Sequence, residues 1–350
     1  MTKRYPELDP YDYPFPAELV ALAPVVPRDS ARLFVYNTAN NVVTHAHVSD
    51  LPNFIAGCLL VTNDTTVLPA RLHARYADGS LMELLILVDQ GSTQAGNVRA
   101  LVNRGVAIGD IMTVADVTFT VLENHEKSML LSVSGGEAAV RALLEQHGET
   151  PLPPYIHSDA AEETKRQLYQ TMFARSAPSV AAPTASLHFT PDLMRRLSEC
   201  GVDMATVTLQ VGLGTFAPIY PENFTEKKLH RERYLVPEAT AKAVEAAYQS
   251  GRPVCAVGTT VVRTLESAKD TLVKGEACER DTDIFIFPPH SFTFPDMLMT
   301  NFHVPKSSLL CLVQAYLEHK KASRHIIDLY REAIDERYRF FSFGDAMLIL

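Results

Sequence analysis

Between Arg71 and Val133 the chain changes texture, and that change limits the folds open to it. Segments 82–88, 98–102, 111–114, 117–122 and 129–133 are short, rich in Val, Ile, Leu and Met, and separated by glycine or polar turns. No helical periodicity interrupts them. Val117-Thr-Phe-Thr-Val alternates with a period of two, the pattern of a strand with one buried face. Short strands in series need their edges paired, and closure into a small β-barrel does this. The flanking sequence instead alternates strands with helices. The expectation is therefore an α/β main domain with an inserted small β-barrel domain. The main domain would comprise residues 1–70 and 150–350, and the barrel residues 71–149.

Within the main domain, 33–36 and 42–48 read as a hairpin around Asn37-Thr38-Ala39-Asn40-Asn41. Residues 58–61 form a buried strand that exits into Thr62-Asn63-Asp64-Thr65-Thr66, a common ligand position in α/β proteins. A helix is expected over 137–147, closed by Gly148, and Pro151-Leu-Pro-Pro-Tyr155 returns the chain to the main domain as an extended linker. Residues 191–200 carry three agreeing helix signals: Thr190 as cap, Pro191 in the first position and Gly201 as stop. The next strand turns Thr206, Thr208 and Gln210 to one face. Residues 237–249 are an alanine-rich helix, and 253–257 a buried strand that Gly258-Thr-Thr turns into a helix bearing Arg263 and Glu266. Residues 284–287 are a further strand. Helices follow over 308–317 and 324–337, and the end of the chain reads as strand on both sides of Gly344-Asp345.

With 350 residues, 47% hydrophobic and 21% charged, the chain has the composition of a soluble enzyme. No apolar run approaches the roughly 20 residues that span a bilayer. The basic N-terminus lacks the apolar core of a signal peptide. The five cysteines stand apart in sequence, as free thiols in a reducing compartment do, so a cytoplasmic location is expected. The net charge of −9 argues against a general nucleic-acid binder but leaves room for a local basic face. His45 and His47 share a strand face without further ligands nearby, and no metal site is expected.

The most site-like stretch is 179–216. A small-residue loop carries Thr184 and His188, a helix starts at once, and a strand then delivers Gly212-Leu-Gly214-Thr215. His188 lies just outside a helix N-terminus, where the dipole favours anions. Gly258-Thr259-Thr260 opens a second helix, but the Gly-Lys pair of a Walker loop is absent. Gly212-Leu-Gly214-Thr215 is followed by Phe-Ala-Pro rather than a helix, so it is no dinucleotide fingerprint. Asp64, Thr184, His188, Thr259, Thr260, Arg263, Asn301 and His303 all fall at strand ends or helix starts. Such a set suits acid–base chemistry on a small, partly anionic ligand, provided the fold brings its members together.

At A-A-P-T-A-S-L-H-F-T (181–190) the sequence resembles the S-adenosylmethionine:tRNA ribosyltransferase-isomerases of queuosine biosynthesis. The resemblance continues in order through P-R-D-S-A-R-L (27–33), N-D-T-T-V-L-P-A-R-L (63–72), V-T-L-Q-V-G-L-G-T-F (207–216), A-V-G-T-T (256–260), T-N-F-H-V-P-K-S-S-L-L (300–310) and Y-R-F-F-S-F-G-D-A-M (338–347). It implies transfer and isomerisation of the ribosyl part of S-adenosylmethionine onto a 7-aminomethyl-7-deazaguanine base in a tRNA anticodon. The product is epoxyqueuosine, with adenine and methionine released. S-adenosylmethionine would be a consumed substrate, and no cofactor is implied. On this resemblance His188, His303, Thr184 and Asp64 are the candidate catalytic residues. Gly212, Gly214, Thr215, Gly258, Thr259, Thr260 and Arg263 are candidates for binding S-adenosylmethionine, with Arg263 toward the methionyl carboxylate. Arg71, Arg175 and Lys306 are candidate tRNA contacts. Gln210 stands where the family usually has histidine, and Lys227, Val261, Ser186 and Pro289 also depart from its pattern. These departures define the alternatives: a paralogue using S-adenosylmethionine on another acceptor, or a non-catalytic RNA- or ligand-binding protein.

Overall fold

The structure, a computed structural model, describes residues 6–87, 96–125, 128–175, 177–212 and 219–350. A mixed nine-stranded sheet and a closed six-stranded barrel organise it. The chain enters the sheet through the hairpin β1 (Arg32–Asn37) and β2 (Val42–His47), then crosses to β3 (Leu59–Asn63) and a short β4 (Thr66–Val67). The barrel follows as β5 (Arg71–Tyr76), β6 (Leu81–Leu87), β7 (Asn97–Val102), β8 (Ile111–Val114), β9 (Val117–His125) and β10 (Ser128–Val133). The remaining strands are β11 (Pro178–Ser179), β12 (Asp203–Leu209), β13 (Lys228–Val236), β14 (Val254–Val257), β15 (Cys278–Ile284), β16 (Met297–Asn301) and β17 (Ala346–Ile349).

The barrel closes in the order β10-β7-β6-β5-β8-β9. The alternation in the sequence is what fills it: Val117, Phe119 and Val121 point inward with Leu72, Met82, Leu84, Met112, Met129 and Leu131. The helix Gly136–His147 lays Val140, Leu143 and Leu144 on the same core. Five strands were expected in this region, and β5 is the sixth; its pattern, Arg71-Leu-His-Ala-Arg-Tyr76, hides behind two arginines and a histidine. Val88, the last residue of the strand expected over 82–88, lies outside the described residues.

In the main sheet, β12, β3, β14 and β16 run parallel to one another. Both faces are covered, which explains the apolar runs Leu59–Val61 of β3 and Val254–Val257 of β14. Leu59 and Val61 pack on one face with Val254, Ala256, Phe34 and Met347, whereas Cys58 and Leu60 pack on the other with Cys255, Val257, Leu33 and Ala346. Helices Glu238–Ser250, Thr259–Ser267, Ser308–His319 and Ile326–Asp335 contribute to the first face, and Pro191–Glu199 to the second. The cap expected at Thr190 is present: its Oγ1 accepts the Leu193 N–H at 3.2 Å.

Two expected strands differ. The ladder near 284–287 is β15, and it ends at Ile284 because its partner β13 begins opposite, at Lys228. Phe285 and Phe287 then pack edge-to-face on Phe224 instead. Before Gly344 there is no strand either. The Asp345 carboxylate accepts from the Arg339 N–H at 2.8 Å and from the Arg339 side chain, folding 339–345 into a tight turn. Only β17 beyond it joins the sheet. Among the described residues no helix is long and apolar enough to cross a membrane, and no three His, Cys, Asp or Glu side chains gather as a metal set. His45 instead has its Nδ1 2.8 Å from the Tyr338 hydroxyl.

Candidate active site

Neighbouring strands β14 and β16 end side by side, and a cavity of about 200 Å³ opens beyond their carboxyl ends. This is the position at which α/β sheets generally hold ligands. Past Val257 the chain turns through Gly258, whose φ of 92° and ψ of 153° suit glycine alone. The Gly258 N–H donates to the Met299 carbonyl at 2.7 Å, which pins this turn to β16. The helix Thr259–Ser267 therefore begins at the cavity, placing Thr259, Thr260 and, one turn on, Arg263 along its wall. The loop 181–185, with Thr184 among its residues, forms a second wall. Tyr155, Tyr169, Phe302 and Phe341 supply an aromatic surface.

Several residues that line this space carry polar atoms without partners. Arg263 Nε and Nη2, Thr260 Oγ1 and Asn301 Oδ1 are buried and have no hydrogen-bond partner within the protein. Buried polar groups are nearly always satisfied, so such a group of exceptions marks a place prepared for a ligand. Arg263 Nη1, by contrast, donates to Glu232 Oε2, and Glu232 Oε1 accepts the Gly212 N–H at 3.2 Å.

His303 follows β16 and lines the cavity. Its Nε2 lies 2.8 Å from Thr300 Oγ1, its N–H donates to the Tyr330 hydroxyl at 2.9 Å, and its carbonyl accepts from Tyr13. Burial pushes the imidazole down to about 3, so it is neutral at physiological pH. His188 ends the turn Thr184–His188 but does not line this cavity; it faces a small crevice with Arg28, Arg339 and Gly344. It meets the site through Asn301, whose Nδ2 lies 3.4 Å from His188 Nε2 and donates to the Phe341 carbonyl at 3.2 Å. Those two contacts use the amide nitrogen and leave Oδ1 buried without a partner. Burial lowers His188 to about 4, against the opposing charge of Asp345.

The other residues singled out in the sequence are dispersed. Asp64 lies beyond the end of β3, where it accepts from Thr208 Oγ1 at 2.7 Å; burial raises its pKa, against the hydrogen bonds from Thr208 and Thr206. It does not line the cavity. Gly212 reaches the site through Glu232, and Gly214 and Thr215 lie outside the described residues. Arg71 donates to the Leu152 carbonyl at 2.9 Å and sits 3.4 Å from Glu83, joining the entrance of the barrel to its exit. Lys306 pairs with Asp12 at 2.8 Å, and Arg175 is exposed beside Asp64. Gln210 donates to the Pro178 carbonyl and lines a second cavity, of about 600 Å³, between the barrel and the main sheet. The adjacent Val211 lines the first cavity, so the chain at 210–211 borders both.

The sequence reading assigned no site role to Glu232 or to the aromatic wall. Glu232 sits in His230-Arg-Glu-Arg-Tyr234, where charged neighbours mask the alternation of Glu232, Tyr234 and Val236 into the interior. Tyr155 was read only as part of a linker.

The chain matches the family described as queuosine biosynthesis protein over residues 8–349. It is 43% identical to the S-adenosylmethionine:tRNA ribosyltransferase-isomerase of Moorella thermoacetica, over 98% of this chain and 99% of that protein. The proteins of the same name from Symbiobacterium thermophilum and Thermus thermophilus are also 43% identical, over 98% of this chain and 99% of each. Among solved structures, an S-adenosylmethionine tRNA ribosyltransferase from Thermotoga maritima aligns with a TM-score of 0.54 and 33% identity, covering 98% of this chain and 100% of that one. Likeness along the whole length favours the family reaction over the divergent alternatives that the departures at Gln210 and elsewhere raise.

Proposed function

We propose that this chain, which belongs to the queuosine biosynthesis protein family, catalyses the reaction its relatives are named for. It moves the ribosyl part of S-adenosylmethionine onto tRNA and isomerises it. The acceptor is the aminomethyl nitrogen of 7-aminomethyl-7-deazaguanine in an anticodon. The product is epoxyqueuosine, and adenine and methionine leave. The enzyme acts in the cytoplasm. The observation that carries the reading is the set of unpartnered Arg263, Thr260 and Asn301 atoms around a cavity at the carboxyl ends of β14 and β16.

Each feature has a use in this reaction. The Nε and Nη2 atoms of Arg263 match the two oxygens of the methionyl carboxylate. The open turn at Gly258 lets a ligand approach the N–H groups of the helix behind it. Tyr155 and Phe341, with ring centroids 4.9 Å apart, offer an apolar face to the adenine. His303 is neutral down to about pH 3, which makes it a hydrogen-bonding and orienting group rather than a resting acid. His188 acts through Asn301 and is a positioning residue. Arg175 meets the tRNA, whereas Arg71 and Lys306 have protein partners of their own. The acceptor nucleotide approaches from the larger cavity, past Gln210 and Val211.

The protein is incubated with S-adenosylmethionine and tRNA carrying the aminomethyl-deazaguanine base. Adenine and methionine should appear in equal amounts, with the matching mass gain in the modified nucleoside. No adenine release, beside an active family member, would sink the proposal.

A further inference from the structure

Arg263 reaches the cavity from a helix, but a guanidinium on a flexible stem can present several edges. Here one partner removes that freedom. Glu232 is 2% exposed, and its Oε2 takes the Nη1 side of Arg263. What remains without a partner is the pair Nε and Nη2, adjacent and parallel, the edge that binds a carboxylate through two hydrogen bonds, on a side chain that lines the cavity. Glu232 is itself fixed. Its strand pairs with β15 at Thr282, and Tyr234, two residues on and on the same face, donates to the Ser267 carbonyl at the end of the helix that carries Arg263. The second oxygen of Glu232 accepts the Gly212 N–H, so one carboxylate registers both the arginine and the backbone entering the glycine loop.

We infer that Glu232 is a positioning residue that turns the Nε–Nη2 edge of Arg263 to a substrate carboxylate and ties that edge to the backbone at Gly212. The inference rests on the reading of the cavity as the site of a carboxylate-bearing sulfonium substrate. It goes further by giving discrimination for that carboxylate to a side chain that does not line the cavity. Glu232 and Arg263 are neutral as a pair, so charge alone attracts the substrate carboxylate weakly. Geometry makes the difference: two aligned donors are presented in a buried site where water does not compete.

The test uses equilibrium binding of two probes, S-adenosylmethionine and its decarboxylated analogue, to the wild-type protein and to Glu232→Gln. Glutamine can still accept from Gly212 but sets an amide, in place of a carboxylate, beside the guanidinium. The wild type should prefer the carboxylated probe by about tenfold or more, as a paired charged hydrogen bond implies. In Glu232→Gln that ratio should shrink to about threefold or less, because affinity for the carboxylated probe falls and affinity for the analogue holds. A purely structural role would weaken both probes alike and leave the ratio unchanged. An unchanged or larger ratio overturns the inference. A wild type that does not discriminate between the probes overturns the placement of the carboxylate at Arg263, and the wild-type arm alone shows this. Circular dichroism checks the fold. If Glu232→Gln does not fold, Glu232→Asp, which keeps the charge but shortens the reach, is expected to lower the ratio in the same way.

Discussion

Asn301 joins the cavity to His188, and Asn301→Asp tests that junction at nearly constant volume. In the wild type the amide nitrogen lies 3.4 Å from His188 Nε2, and burial holds the imidazole at about 4. The substitution puts a carboxylate at that distance. With an effective dielectric constant of about 20, a unit charge at this range favours the protonated imidazole by about 5 kcal/mol. The burial that lowers His188 from 6.5 to about 4 corresponds to about 3 kcal/mol. The carboxylate therefore wins, and His188 should titrate near or above 7. The Phe341 carbonyl also loses one of its two donors, at about 1 kcal/mol, and keeps the Gly344 N–H at 3.1 Å. The assay is a pH titration of the histidine Cε1–H resonances by NMR, with His188 assigned by its loss in His188→Gln, alongside adenine release. Activity should fall about tenfold or more, since the unpartnered Oδ1 acceptor of Asn301 is replaced by a charged group whose proton is shared with His188. A His188 resonance still titrating near 4 in Asn301→Asp refutes the electrostatic argument. Undiminished adenine release refutes the place of Asn301 in the site.

The two buried histidines also set a pH dependence of stability. His188 and His303 have folded pKa values lowered to about 4 and about 3, so the unfolded chain takes up protons first as the pH falls from their ordinary value of 6.5. Stability should decline steadily from about pH 6.5 to about pH 4, read as the urea midpoint, and a midpoint constant over that range contradicts the burial of neutral imidazoles. Asp64 acts with the opposite sign: its raised pKa favours the fold in acid, so it partly offsets the decline at the low end. Gly258→Ala separates space from backbone strain. An added Cβ finds only Thr260 Oγ1 at 3.6 Å and Ala185 Cβ at 3.7 Å, so sterics are mild. The φ of 92° is the obstacle, and a loss of about 1–3 kcal/mol in urea unfolding is expected. No change would mean that the turn relaxes freely.

The barrel was legible because its signal is local. Strands of period two, interrupted by turn residues, state which face is buried, and Val117, Phe119 and Val121 indeed point inward. The caps at Thr190 and the turn at Gly258 were legible for the same reason, since each depends on a few consecutive residues. The strand expected before Gly344 failed because a side-chain competitor intervened: the Asp345 carboxylate takes the backbone and side chain of Arg339, six residues earlier. At the site, the sequence supplied most of the cast: Thr184, Gly258, Thr259, Thr260, Arg263, Asn301 and His303. It did not supply their arrangement. His188 and Asp64 stand at equally suggestive positions along the chain, yet neither lines the cavity. The parallel neighbours β14 and β16 bring Gly258 and His303 together across some forty residues of chain. Likewise only the pairing of β13 into the sheet carries Glu232 to Arg263. The sequence by itself determined the local elements and the chemical types available. Which groups face one another, and which polar atoms are left without partners, follows from sheet order and burial, and these exist only once the chain is packed.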